Sequence, residues 1–199
     1  MASELSDQEL IDDTPPVAVK IVIGGGFGAG KTTFVSAISE TMPLLTEEYL
    51  TDRSVGVDDI AEVEHKGTTT IVMDFGRITI NHNLVLYLFG TPGQDRFLFL
   101  WDELAIGAVG AVVVADTRRL GDCFPSVDYF ERRGTPFVIA VNCFDGATRY
   151  TATEVKTALN LDPDVPVLLC DARERDSAKE VLIAVVERAM ATLRGARAA

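Results

Sequence analysis

The run Gly25-Gly26-Phe27-Gly28-Ala29-Gly30-Lys31-Thr32 fits the spacing G-x-x-x-x-G-K-[ST]. Glycines at these positions let successive backbone N–H groups converge on phosphate oxygens, and a helix beginning at the lysine adds positive potential. Lys31 would reach the β- and γ-phosphates of a nucleotide, and the Thr32 hydroxyl would ligate Mg²⁺, with Thr33 following on the same helix start. At this composition roughly 0.004 such matches arise by chance in the chain. The run is therefore read as a nucleotide phosphate site rather than a glycine turn that merely caps a helix.

The elements needed to hold such a loop are present around it. VAVKIVIGG, residues 17–25, reads as a buried strand leading into the turn, and KTTFVSAISETM follows with helical spacing at Phe34, Val35, Ile38 and Met42. TIVMDFGRITI and HNLVLYLFG are β-rich runs joined by a turn at Asn81-His82-Asn83, which predicts an antiparallel hairpin. AVGAVVVAD and TPFVIAVNCFD are continuous apolar runs of the kind found in strands covered on both faces. Helices are expected near 124–133, 153–159 and 176–193, the last N-capped by Asp176 or Ser177 and stopped by Gly195. Trp101, Phe97, Phe99 and Leu100 fall on a helix after TPGQ; not all can face inward, so part of this cluster is expected to form a partner surface. Strands alternating with helices give an α/β fold with a mostly parallel sheet. Residues 43–68 are polar and weakly patterned, and so long a connection in a compact domain points to a functional segment.

Length and charge bound the rest. A chain of 199 residues with 47% apolar and 24% charged content is one globular domain, here placed at 16–195. Residues 1–15 are read as an acidic disordered tail. A net charge of −12 disfavours nucleic acid and anionic membrane surfaces as partners. The apolar run Ala105–Ala115 is too short to insert in a bilayer, and the N-terminus has no signal-peptide pattern, so a cytoplasmic location is expected. Cys123, Cys143 and Cys170 lack metal spacing and read as reduced thiols. His65 and His82 are isolated and read as surface residues.

The order of motifs resembles that of the Ras-like small GTPases over about residues 17–193. Thr91-Pro92-Gly93-Gln94 resembles the switch II loop, where the resemblance implies that the Gly93 amide contacts the γ-phosphate and Gln94 orients the attacking water. Asn142-Cys143-Phe144-Asp145 resembles the guanine-reading NKxD motif. Cys170-Asp171-Ala172 stands where the family has a loop whose alanine amide touches the guanine oxygen. N-x-x-D alone arises about 0.3 times by chance, so its position at a strand end carries the weight. Asp145 would accept hydrogen bonds from guanine N1–H and the 2-amino group, a donor pair adenine lacks. Asn142 is expected to hold loops together. The implied fold is a Ras-like P-loop NTPase with a six-stranded, mostly parallel sheet, one antiparallel edge strand and helices on both faces.

The departures from that pattern are informative. The aspartate of D-x-x-G, which supports Mg²⁺ through water, is replaced by Gly90, and this puts magnesium coordination in doubt. Cys143 stands in place of the lysine that lies along the guanine plane. Phe27 occupies a crowded loop position where a bulky side chain would hinder an arginine finger. With Thr68–Gly76, these features resemble bacterial GTPases of the MglA type and those encoded in actinobacterial conservon operons. That kinship implies a roadblock-type protein partner, a histidine-kinase-linked assembly and peripheral recruitment to a membrane-associated complex.

The expected activity is a GTP/GDP switch with slow hydrolysis, using Gln94 and Lys31 at the reacting phosphate. Gly25, Gly28, Ala29, Gly30, Lys31, Thr32, Thr33, Gly93, Asn142, Asp145, Cys170 and Ala172 would hold the nucleotide, and Thr32 with Thr69 the metal. Thr68 and Thr70 are rivals to Thr69, and Arg53 is a candidate finger in cis. Two other readings stay open: a nucleotide-binding scaffold that does not hydrolyse, and a P-loop ATPase with an accidental N-x-x-D.

Overall fold

The computed structural model describes residues 15–41, 46–50, 69–93 and 98–198, with the backbone alone at 46–50, 69–72, 98 and 196–198. Residues 1–14 of the acidic tail, Arg53, His65 and Thr68 lie outside the described residues.

The main sheet is six-stranded, in the order β4-β5-β1-β6-β7-β8. Its strands are β1 (Val17–Gly24), β4 (Phe75–Asn81), β5 (Leu84–Gly90), β6 (Ala108–Asp116), β7 (Phe137–Asn142) and β8 (Val167–Cys170). Every neighbouring pair is parallel except β4 with β5, the hairpin turned at His82-Asn83. The helices are α1 (Lys31–Ile38), α2 (Leu98–Ala105), α3 (Phe124–Arg133), α4 (Ala152–Ala158) and α5 (Arg175–Ala198).

Alternation along the central strands divides the core in two. Ile21, Ile23, Val112 and Val114 pack with Phe34 and Val35 of α1 and Val181 and Val185 of α5. Val22, Ala111, Val113 and Ala115 face the other way, toward Val127 and Phe130 of α3 and Val155 of α4. Both faces of β1 and β6 are thus covered, which explains why these strands read as unbroken apolar runs. Burying each large aliphatic or aromatic side chain contributes about 1.5–3 kcal/mol before entropy is counted. The ends of β1, β7 and β8 lie together, so the phosphate loop and the loops after β7 and β8 meet there.

Three local expectations differ from the structure. TIVMDFGRITI is not one strand: β3 (Thr69–Met73) pairs antiparallel with β2 (Thr46–Leu50) in a separate two-stranded sheet, and β4 begins after Asp74. The break falls where the pairing partner changes: Met73 still pairs with Thr46 of β2, whereas the carbonyl of buried Asp74 accepts the Gly90 N–H at 2.7 Å and Phe75 pairs with Phe89. β2 was not anticipated, since TEEYL carries no apolar alternation. Gly195 does not stop the last helix, which continues to Ala198; open space around that glycine and a cost of only about 1 kcal/mol make it tolerable in a helix.

Candidate functional site

The loop between β1 and α1 is held in a conformation that its glycines make available. Gly25 has φ +133°, and a Cβ there would fall 2.3 Å from the Val114 carbonyl oxygen. Gly30, the N-cap of α1, has φ +106°, and a Cβ there would fall 2.4 Å from Asn142 Nδ2. Both positions need glycine for conformation and for space. The Gly25 N–H donates to Ser126 Oγ at 2.9 Å, tying the loop to α3.

Lys31 is buried, and its ammonium donates to the carbonyls of Gly25 at 2.9 Å and Gly26 at 2.8 Å. Desolvation lowers its pKa to about 8, and the nearby Asp74 charge opposes that fall. The Thr32 hydroxyl donates to Asp74 Oδ2 at 2.9 Å. Asp74 is buried, its other oxygen, Oδ1, has no hydrogen-bond partner, and burial raises its pKa. Thr33 is exposed on the first turn of α1.

Asp74 is a residue that the sequence alone did not single out. It lies directly beside Gly90, so the carboxylate absent from the Gly90 position is supplied at the same place from the neighbouring strand. The available signal was a lone acid within a β-rich run, which does not reveal which strand will face it. A buried oxygen lacking a partner, bonded through its twin to the threonine of the phosphate loop, fits a role in holding Mg²⁺ through water.

Gly93 closes the site from the other side. A Cβ on it would fall 2.7 Å from Lys31 Nζ and 2.9 Å from the Phe27 Cα, so this glycine lies against the phosphate loop. Thr91 is anchored by its N–H to the Ile23 carbonyl at 2.8 Å, and Trp101 Nε1 donates to the Pro92 carbonyl at 3.2 Å. Trp101 is buried against Tyr129 and Phe130, so it is core rather than partner surface, whereas Phe99 is exposed. Gln94 and Phe97 lie outside the described residues, and of Thr69 only the backbone, paired with Leu50, is described. Phe27 is exposed, and its carbonyl accepts from Arg119 Nη2 at 2.8 Å.

The β7 and β8 ends bring the remaining candidates together. Asn142 is buried; its Nδ2 donates to the Ala29 carbonyl at 3.0 Å and its Oδ1 accepts the Ala172 N–H at 3.1 Å. One side chain therefore links the phosphate loop with the loops after β7 and β8. The Cys143 N–H donates to the Cys170 carbonyl at 2.7 Å, which sets those two loops side by side. Asp145 is exposed beside them and receives Nη1 of Arg173 at 2.6 Å and its Nη2 at 3.1 Å. Arg118, paired with Asp116 at 2.7 Å, lies 3.7 Å from the ring centre of Phe144.

Fold and site together define a P-loop domain of the G-domain kind. The chain belongs to the family described as conserved hypothetical ATP binding protein, whose model matches residues 22–192. An uncharacterized protein of Methanocaldococcus jannaschii is 34% identical over 101 residues, 51% of this chain and 53% of that protein; this chain thus matches about half of its length. Among solved structures, the G domain of the T. maritima FeoB iron transporter is similar with TM-score 0.59 and 19% identity, over 87% of this chain and 99% of that one. The cytosolic domain of that transporter in its GMPPNP form gives TM-score 0.60 and 18% identity, over 86% and 64%. The FeoB G-domain of Methanococcus jannaschii gives 0.57 and 14%, over 87% and 98%. At these identities the likeness establishes the fold. Among the described residues no helix is long and apolar enough to cross a membrane.

Proposed function

We propose that this protein is a guanine-nucleotide switch that hydrolyses GTP slowly. The observation that carries the reading is the hydrogen bond from exposed Thr32 to buried Asp74 beside Lys31 at the foot of the phosphate loop. Asp74 and Thr32, with Thr69, would hold Mg²⁺, which when bound neutralises charge on the β- and γ-phosphates. Lys31 binds the phosphates, the Gly93 amide senses the γ-phosphate, and Gln94 orients the attacking water. Asp145 reads the guanine N1–H and 2-amino edge, while Asn142 keeps the base and phosphate loops in register. The GDP and GMPPNP forms of the T. maritima FeoB cytosolic domain support guanine as the base. Loss of the γ-phosphate would release residues 43–69 and 90–104 and change partner affinity.

The resemblance to the MglA and conservon-encoded GTPases supports a role in bacterial signalling or polarity control. A roadblock-type partner, a histidine-kinase-linked assembly and peripheral recruitment from the cytoplasm to a membrane-associated complex belong to that proposal. A second reading, binding of ATP, is favoured by the description of the family.

Calorimetric titration of nucleotide-free protein with GDP, GTP, ADP and ATP, each with and without Mg²⁺, separates the two. Guanine preference that shifts toward xanthine nucleotides in Asp145→Asn supports the switch. Adenine preference, or a base preference that Asp145→Asn leaves untouched, overturns it. A single-turnover assay then tests hydrolysis: GTP intact after hours with its partner present would make the protein a scaffold.

A further inference from the structure

The Asp145 carboxylate, assigned above to the base, is already occupied by a side chain of the protein. Arg173 Nη1 and Nη2 donate to the two oxygens of Asp145 at 2.6 and 3.1 Å. A guanidinium offers a carboxylate two parallel N–H donors on one planar edge. The N1–H and 2-amino group of guanine offer the same pattern. Adenine has no such pair.

Arg173 is also held from a second side. Its Nε donates to Asp171 Oδ1 at 2.9 Å and its Nη2 to Asp171 Oδ2 at 2.7 Å. Asp171 in turn is fixed by its own N–H on Ser177 Oγ at 3.0 Å. The arginine depresses both carboxylates, Asp171 to about 2. Nη1 serves Asp145 alone, whereas Nε and Nη2 both have Asp171. Arg173 can therefore release Asp145 while remaining paired with Asp171, and no charge is left unpartnered when a guanine takes its place.

We propose that Arg173 is an internal competitor for the base site that narrows the preference for guanine over adenine. This rests on the reading of Asp145 as the guanine-recognising carboxylate. A guanine nucleotide must displace Nη1 and Nη2 before Asp145 can read it, so its capture is slowed and its affinity lowered. An adenine nucleotide meets an Asp145 that is already satisfied and does not strand a bare carboxylate against the base. The arginine thus acts in opposite directions on the two bases. Because Arg173 and Asp145 are both exposed, the effect is that of a solvent-screened pair, about three- to fivefold.

The experiment is stopped-flow and equilibrium binding of fluorescent GDP and ADP analogues to wild type, Arg173→Ala, Arg173→Lys and Asp145→Asn, with Asp145→Asn repeated in the Arg173→Ala background. Arg173→Ala is expected to speed GDP association about three- to fivefold, to tighten GDP binding and to weaken ADP binding. Arg173→Lys keeps the charge but loses the two-pronged edge and should gain part of the effect. In nucleotide-free wild type, the Arg173 Nη–H NMR signals should shift on adding GDP and stay in place on adding ADP. Unchanged or slower GDP association in Arg173→Ala, with Asp145→Asn still erasing guanine preference, overturns the competitor and leaves the base assignment standing. Base preference unaffected by Asp145→Asn in either background overturns both.

Discussion

A Cβ placed on Gly90 would fall 2.8 Å from both the Cβ and Oδ2 of Asp74, so the two positions share room for one carboxylate. Asp74 uses that room to accept the Thr32 hydroxyl with one oxygen and leaves the other without a partner. A buried carboxylate with an unmet acceptor destabilises the empty domain, and burial accordingly raises its pKa. Asp74→Asn should therefore stabilise the nucleotide-free protein by about 1 kcal/mol. The same substitution should weaken the Mg²⁺ dependence of GTP binding by about tenfold or more, because a neutral amide attracts a hydrated cation far less than a carboxylate does. Denaturant melts and Mg²⁺ titrations of GTP-loaded protein check the two halves. An Asp74→Asn protein with unaltered Mg²⁺ dependence would remove this residue from the metal site.

Restoring an aspartate at position 90 should fail unless position 74 is emptied. Gly90→Asp alone pushes a side chain into Asp74 and is expected to cost about 2 kcal/mol, within the usual range for overpacking. Gly90→Asp combined with Asp74→Gly returns the space, so the double variant should be more stable than the sum of the single changes predicts. Chemical denaturation of the four proteins gives the coupling. The double variant should also recover part of the Mg²⁺ response, since the carboxylate lies in the same place on the adjacent strand. Simple additivity would mean that the two residues do not compete for that place.

The two positions also show what the sequence made legible. The phosphate loop could be read because its chemistry is contiguous: eight residues from Gly25 to Thr32 state both conformation and ligand. The central strands were equally plain, since Val112–Ala115 and Val138–Val141 are buried on both faces and have no polar alternation to confuse. Asp74 was not legible, because its meaning depends on the register that sets Phe75 opposite Phe89 and brings the acid to Gly90. A departure was visible at one position and its compensation sat on another strand. Arg173 escaped notice for the same reason: within C-D-A-R it looks like a helix-start arginine, and only the apposition of the β7 and β8 ends turns it toward Asp145. Trp101 was half legible, as an apolar residue on a helix whose inward face could not be chosen before Tyr129 and Phe130 were in place.

Trp101 provides an optical probe of the proposed switch. It is the one tryptophan of the chain, and its indole N–H holds the Pro92 carbonyl, adjacent to Gly93, the residue proposed to sense the γ-phosphate. Movement of Gly93 on γ-phosphate binding would lengthen or break that bond and change the polarity around the ring. Tryptophan emission should therefore differ between the GDP state and the state with a non-hydrolysable GTP analogue, with full recovery as GTP is consumed. Trp101→Phe keeps the aromatic packing, loses the hydrogen bond and should make the 91–93 loop easier to open, seen as faster amide exchange at Gly93. Identical emission in both nucleotide states would place the switch elsewhere.

Lys31 gives the binding a pH dependence whose sign can be worked out. Burial lowers its pKa in the empty protein to about 8, whereas the charge of a bound triphosphate would draw it back up. Below pH 8 the ammonium is present in both states, and affinity is insensitive to this group. Above pH 8 the empty protein loses the proton and the complex keeps it, so binding must take one up. Affinity should then fall about tenfold per pH unit until the pKa of the bound state is reached. Titrations at pH 9 in buffers of different ionisation enthalpy should report uptake approaching one proton per nucleotide. Lys31→Arg, whose guanidinium stays charged throughout this range, should bind more weakly at pH 7 because the fork does not fit the carbonyls of Gly25 and Gly26, but without the alkaline loss. A flat profile for the wild type from pH 7 to 9.5 would mean that Lys31 is not desolvated in the empty site.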